Sequence, residues 1–252
     1  MLHNLLIIAA ILVVMLYLVV PVMVYQKFFF PFRDVPRVAS PGSLPDEAWR
    51  YLDRVAGSLR DEGFVRSAPF IPPAVLGSLA VAMLLVNRRT GDLALVTSVF
   101  AAQRHTMRLK VQYVEFMSLF EDGSGVQTNN SSVLSSFPPT PGRQVESLPE
   151  VVSPSRLYKV HQARLVAARL QDRPRIVPEP GEEMRFAVQQ IVDSVSRQVE
   201  TGYIEERGGG YRATLYGAFA MVWKELPPLK QVRWMLHRRR AARLLGELKL
   251  DE

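Results

Sequence analysis

The hydrophobic pattern of the chain opens with a run that has no polar side. From Met1 to Gln26 no residue carries a charged side chain, and Leu5 to Val24 is almost entirely Leu, Ile, Val, Ala and Met. A helix rises about 1.5 Å per residue, so about 20 such residues match a hydrocarbon core of about 30 Å. A buried core helix would show a polar face, and a cleaved signal peptide a basic start, a shorter apolar stretch and a small-residue cleavage site. The run fits neither, and it predicts a transmembrane anchor with Pro21 near its end, where a lost backbone hydrogen bond costs least. Tyr25, Lys27, Phe28, Phe29, Phe30, Phe32 and Arg33 follow as an expected belt at the headgroup boundary.

Past a proline-rich linker (35–45), the pattern changes to alternating elements. Ser43 is placed to cap a helix whose first turn holds Asp46 and Glu47, with Trp49, Leu52, Ala56 and Leu59 on one face and Gly63 as a stop. Leu79 to Val86 and Leu93 to Phe100 are apolar runs around Arg88-Arg89-Thr90-Gly91, which predicts a hairpin. Met107, Leu109, Val111 and Tyr113 alternate with Arg108, Lys110 and Gln112 as a half-buried strand, and Glu121 to Gly125 turns it back into Val126 to Thr128. The uncharged stretch Ala68 to Val86 has a rival reading as a second span. Pro69, Pro72, Pro73 and Gly77 and the matching apolar run after the turn favour the hairpin.

Residues 129–154, rich in Ser, Pro and Asn, predict a long loop. Ser153-Pro154 opens a helix with Leu157, His161, Leu165 and Ala168 on its apolar face. A second linker spans 172–181. Beyond it, Met184, Val188, Ile191, Val195 and Val199 stripe a helix stopped by Gly202. A small hairpin around Gly208-Gly209-Gly210 precedes a Thr214-capped apolar helix and a last helix from about Leu229 to Leu250. The predicted fold class is α+β: an N-terminal transmembrane helix, an antiparallel sheet with packed helices, and a helical C-terminal region. Its expected divisions are 1–34, 35–45, 46–171, 172–181 and 182–252.

The formal charge of +7 is unevenly spread. Lys224 to Glu252 holds eight Lys/Arg and four Asp/Glu, and Arg156 to Arg175 holds six basic residues and one acid. No Lys or Arg precedes the apolar run, whereas Lys27, Arg33 and Arg37 follow it, so the positive-inside rule places the C-terminal body in the cytoplasm, on a single-pass inner-membrane protein. In the last helix Lys230, Arg233, Trp234, Arg238, Arg239, Arg240 and Arg243 make a basic amphipathic candidate surface for lipid or a partner protein.

Catalytic signals are sparse. There is no cysteine, and His3, His105, His161 and His237 have no metal-like partner at helical or hairpin spacing, so no metal or cofactor is expected. Gly-x-Ser-x-Gly, phosphate-loop and dinucleotide fingerprints are missing. On the apolar face of a helix, His161 suits a satisfied core position better than a catalytic base. A hydrolase alternative requires a concavity where His105 or His161 meets a carboxylate.

Two resemblances bear on function. The order helix, Gly-Tyr-Ile, hairpin, Thr, helix over 183–217 resembles the latter half of winged-helix domains, which would imply a nucleic-acid-binding regulator. The long proline-rich 172–181 departs from the short turn such domains need. The stretch Phe116 to Asn129, Leu157-Tyr158-Lys159-Val160-His161, Gly202-Tyr203 and Gly217-Ala218 resemble uncharacterised bacterial single-pass membrane-anchored proteins with a cytoplasmic α+β body. That likeness implies no activity. The expectation is a non-catalytic accessory or assembly subunit of a membrane complex, with membrane lipids and other subunits as partners and nucleic acid disfavoured.

Overall fold

The computed structural model describes residues 2–31, 37–40, 42, 44–72, 78–103, 106–135 and 137–248; in the first helix the side chains of 2, 5, 6, 8–10 and 12 lie outside that set. In chain order the elements are α1 (Leu2–Lys27), β1 (Phe29–Pro31), β2 (Arg37–Val38), α2 (Asp46–Leu59), β3 (Val65–Arg66), β4 (Phe70–Ile71), β5 (Ser78–Asn87), β6 (Asp92–Gln103), β7 (Thr106–Leu119), β8 (Gly125–Asn129), β9 (Arg143–Ser147), α3 (Pro154–Ala167), α4 (Glu183–Glu200), β10 (Ile204–Glu206), β11 (Gly210–Ala213), α5 (Leu215–Glu225) and α6 (Leu229–Glu247). The fold is α+β. It divides into two compact units: Met1–Arg33, Ser135–Pro138 and Ser194–Arg239 form one, and Asp34–Leu134, Pro139–Asp193 and Arg240–Glu252 the other.

The larger unit is built on an eight-stranded sheet of order β2-β4-β5-β6-β7-β8-β9, with β3 also paired to β5. The β5–β6 hairpin forms as its pattern predicts, with Leu79 opposite Phe100 and Val86 opposite Leu93. Ala68 to Val86 therefore contributes a strand to this sheet rather than a second helical span. Asn87 shapes the turn: its Oδ1 accepts from the amides of Arg89 and Thr90, and Gly91, at φ 75°, closes it. Both strands are almost uniformly apolar because both sheet faces are covered. On one face Val81, Met83, Leu85, Ala94, Val96, Val114 and Phe116 pack with Leu52, Val55 and Leu59 of α2 and Leu157 and Val160 of α3. On the other, Ala82, Leu84, Val86, Leu93, Leu95, Met117 and Leu119 pack with Ala187, Met184 and Phe186 of α4. Fully burying one such side chain contributes about 1.5–3 kcal/mol. The exposed start of β7 keeps the polar/apolar alternation.

Three segments differ from expectation. The loop over 129–154 contains β9, which pairs in parallel with β8, so the sheet is mixed rather than antiparallel throughout. The proline-rich 172–181 lies on the sheet as part of the larger unit: Ile176 bonds to Leu119 O, and Arg88 donates to Pro178 O. The linker over 35–45 includes β2, while Ser43 lies outside the described residues and α2 begins after Pro45 with no side-chain cap. The Ser153 cap of α3 and the Thr214 cap of α5 form as predicted, accepting from Arg156 N and Gly217 N.

The smaller unit joins α1, a three-stranded antiparallel sheet of order β1-β11-β10, and α5. Residue 29 faces 212 in the β1–β11 pair, so α1 enters the sheet at the end from which α5 leaves it. The two helices therefore run antiparallel, and the Trp223 indole donates to Tyr17 O at 3.0 Å. Gly217 is required where α5 meets β10, since a β carbon there would lie 1.8 Å from Tyr203 O. Among the described residues no helix is long and apolar enough to cross a membrane.

Candidate functional site

The chemistry-bearing side chains of the larger unit converge under α3. Asp92 starts β6, Ser118 ends β7, Thr128 lies on β8, and Tyr158, His161, Gln162 and Arg164 come from α3. Strand alternation turns Asp92, Ser118 and Thr128 to the α3 side of the sheet, and helical spacing brings 158, 161, 162 and 164 down onto them. Asp92, Ser118, Thr128 and His161 are all completely buried. Asp92 Oδ1 accepts from Ser118 Oγ (2.5 Å) and pairs with Arg175 (2.8 Å); Oδ2 accepts from Tyr158 (2.9 Å) and Gln162 (2.6 Å). Arg175, from the segment 172–181, also donates to the carbonyls of Thr90 and Gln171.

The two ends of this network fix every proton in it. Arg164 can only donate, and does so to Thr128 Oγ1 (2.6 Å) and Gln127 O (2.5 Å). Thr128 then gives its proton to His161 Nδ1 (2.9 Å), His161 donates from Nε2 to Ser118 Oγ (3.0 Å), and Ser118 donates to Asp92. That sequence assigns the Nε2–H tautomer to His161. Burial holds the imidazole neutral, lowering its pKa to about 3 against the counter-effect of Asp92. Burial likewise raises the Tyr158 hydroxyl, with Asp92 adding to it.

Ser, His and Asp stand together here, and they do not make a nucleophile. A catalytic serine gives its proton to histidine, which an acid orients. Here the serine proton goes to the acid, and the histidine donates to serine. The carboxylate lies 4.0 Å from His161 Nε2, on the side away from Nδ1. What this arrangement does chemically is neutralise and orient: one carboxylate, two arginines and five neutral side chains are tied to one another. His161 is a satisfied core residue, bonded at both ring nitrogens, and His105 lies outside the described residues. Asp92, Ser118, Thr128, Gln162 and Arg175 had no sequence signal beyond their types, because their partners are tens of residues away in the chain.

On the opposite sheet face Glu115 is bonded by Asn129 and lies near Arg143, which reaches Gln190 of α4 (3.1 Å). Desolvation raises the Glu115 carboxyl to about 7, outweighing both partners. Glu146, 6 % exposed, pairs with Arg240. Among the described residues no group of three or more His, Cys, Asp or Glu is placed to hold a metal ion.

The expected interface residues are split. Phe28 and Phe30 are 3 % and 2 % exposed, packed against Phe137 and Tyr211, so they are core residues of the smaller unit and not an outward belt. Their burial follows from β1 pairing with β11. Phe29 lies under the Arg212 guanidinium, Tyr25 is half-buried and Lys27 exposed, while Phe32 and Arg33 fall outside the described residues. On α6, Lys230, Arg238, Arg239, Arg240 and Arg243 are exposed and Arg233 and Trp234 half-buried. Arg233 is tied down, donating to Lys224 O, Glu225 and Ser135 O. Leu229, Val232, Met235 and Leu236 are exposed beside these cations.

The winged-helix likeness over 183–217 places a hairpin between two helices as expected, but the second helix, α5, packs on α1 and exposes Leu215, Tyr216 and Trp223. Its basic residue, Lys224, bonds the Tyr203 hydroxyl. Comparison with protein-family models, curated proteins and solved structures finds no match to this chain.

Proposed function

We propose that this protein is a membrane-anchored, non-catalytic interaction protein: an accessory or assembly subunit whose α+β body is held at the cytoplasmic face of a membrane complex. The observation that carries the reading is α1. It has no charged side chain before Lys27, and Ile11, Val13, Val14, Met15, Leu16 and Leu18 are each 43–56 % exposed, a run of uncovered apolar side chains of the kind that marks a membrane or partner contact. The closed hydrogen-bond circuit around Asp92 supports the non-catalytic part, because every acid and base in it is spent on a neighbour. Lys27 follows the apolar run, which supports the orientation.

The test is fractionation of the full-length chain. It is expected to stay with membranes through an alkaline carbonate wash, and after mild detergent extraction to migrate with a partner, well above 28.4 kDa. Release by carbonate refutes the anchor, and a clean monomer refutes the subunit.

A further inference from the structure

The anchor and α5 constrain each other. The Trp223 indole meets α1 at Tyr17. If α1 spans, the end of α5, bonded to it at Tyr17, is brought to the membrane with it. The composition of α5 permits this: Leu215 to Trp223 holds no charged side chain.

The elbow after α5 carries what a headgroup layer requires. Glu225 is neutralised by Lys230 (3.6 Å) and Arg233 (3.4 Å), and Arg233 covers the carbonyls of Lys224 and Ser135. Beyond that pinned side, Val232, Met235 and Leu236 of α6 are exposed at 43 %, 47 % and 56 %, and Leu229 and Trp223 at 45 % and 41 %. Arg238 and Arg239 follow one turn on, both exposed. Apolar side chains backed by arginines are the pattern of a segment lying in the plane of an anionic leaflet.

We propose that the α5–α6 elbow, Trp223 to Arg239, is a second membrane-contacting element. It seats in an anionic phospholipid leaflet with Val232 and Leu236 against acyl chains and Arg238 and Arg239 on lipid phosphates. This rests on the anchored reading above.

Because the chain has no cysteine, single substitutions carry an environment-sensitive fluorophore cleanly. Full-length Ile11→Cys and Leu236→Cys proteins are labelled and reconstituted into vesicles of phosphatidylcholine alone or with one-third phosphatidylglycerol. The Ile11 label is expected to be lipid-embedded in both, and the Leu236 label only with phosphatidylglycerol, accessible there to a lipid-borne quencher and shielded from iodide. Arg238→Gln with Arg239→Gln lowers the docked-to-undocked ratio of the Leu236 label about thirtyfold, at two cations of lipid attraction. An embedded Ile11 label with an aqueous Leu236 label on both vesicles overturns the elbow and leaves the anchor standing. Equal embedding of Leu236 on neutral vesicles overturns the assignment to anionic lipid. An aqueous Ile11 label overturns the anchor itself.

Discussion

Replacing Asp92 by Asn keeps the size of the side chain and removes its charge, which isolates what the buried carboxylate does. In the native protein its two oxygens receive four donors, two each. Asn offers one oxygen and one NH2 group, so whichever way it turns, two donors face another donor. Arg175, whose side chain is 6 % exposed, also loses its anion. Removing one partner of a buried ion pair costs about 3–5 kcal/mol, because the stranded charge has no solvent to return to. Against a total stability of about 5–15 kcal/mol, that is a large fraction. Urea denaturation of the full-length chain, followed by tryptophan fluorescence, is expected to show the midpoint of the larger unit falling accordingly with little change in slope. Arg175→Met on its own leaves Asp92 with three neutral donors. The Asp92→Asn, Arg175→Met pair is expected to lose less than the two single losses together, by about 2 kcal/mol or more of coupling. A single Asp92→Asn loss under about 1 kcal/mol, or strict additivity with Arg175→Met, refutes the claim that this circuit is an energetic unit.

Gly217→Ala puts a methyl group where the Tyr203 carbonyl already stands, so α5 has to move off β10; a loss of about 3 kcal/mol, at the upper end for overpacking, and faster proteolysis within 194–239 are expected. Thr214→Ala removes a cap that accepts from Gly217 N and donates to Gly202 O (2.6 Å), with a loss of about 1 kcal/mol measured in the same assay. Two groups set opposing pH trends. The Glu115 carboxyl is raised from 4.5 to about 7, so the folded state holds its proton longer than the unfolded state, and stability falls as pH rises through that window. His161 is lowered from 6.5 to about 3, so the unfolded state takes the proton first, and stability falls as pH drops below 6.5. Between pH 4.5 and 6.5 the two cancel in the native chain. Glu115→Gln is expected to uncover a rise toward pH 6.5 of about 1.4 kcal/mol per pH unit at most; a flat profile for that variant contradicts the assignment.

Local signals were legible in this chain and distant pairings were not. The β5–β6 hairpin, the Ser153 and Thr214 caps and the outline of six helices follow from apolar runs, turn residues and capping residues within a few positions of one another. The strand β9 has no such signal, because Arg143 to Ser147 is polar and finds its place only by pairing in parallel with β8 across a long crossover. Arg175 sits in a proline-rich stretch that has the composition of a linker, yet its guanidinium is drawn to an anion 83 positions earlier in the chain. The aromatic cluster after α1 matched a headgroup belt in composition, but β1 pairing turned Phe28 and Phe30 inward. For the candidate site, the position of His161 on an apolar face was visible, whereas the direction of its hydrogen bonds depends on Arg164 and Asp92 at the two ends of the circuit.

The Asp92 circuit also bears on how the strands find their alignment. Strands β5 and β6 are rich in Ala, Val and Leu, and sliding β7 along β6 by two residues would leave its side chains on the same faces. Such a slip would set Phe116 or Phe120 against Asp92 and strand a carboxylate and an arginine in hydrocarbon. The polar residues thus act as a key cut for a single alignment, in a lock that oily side chains alone would turn in several positions.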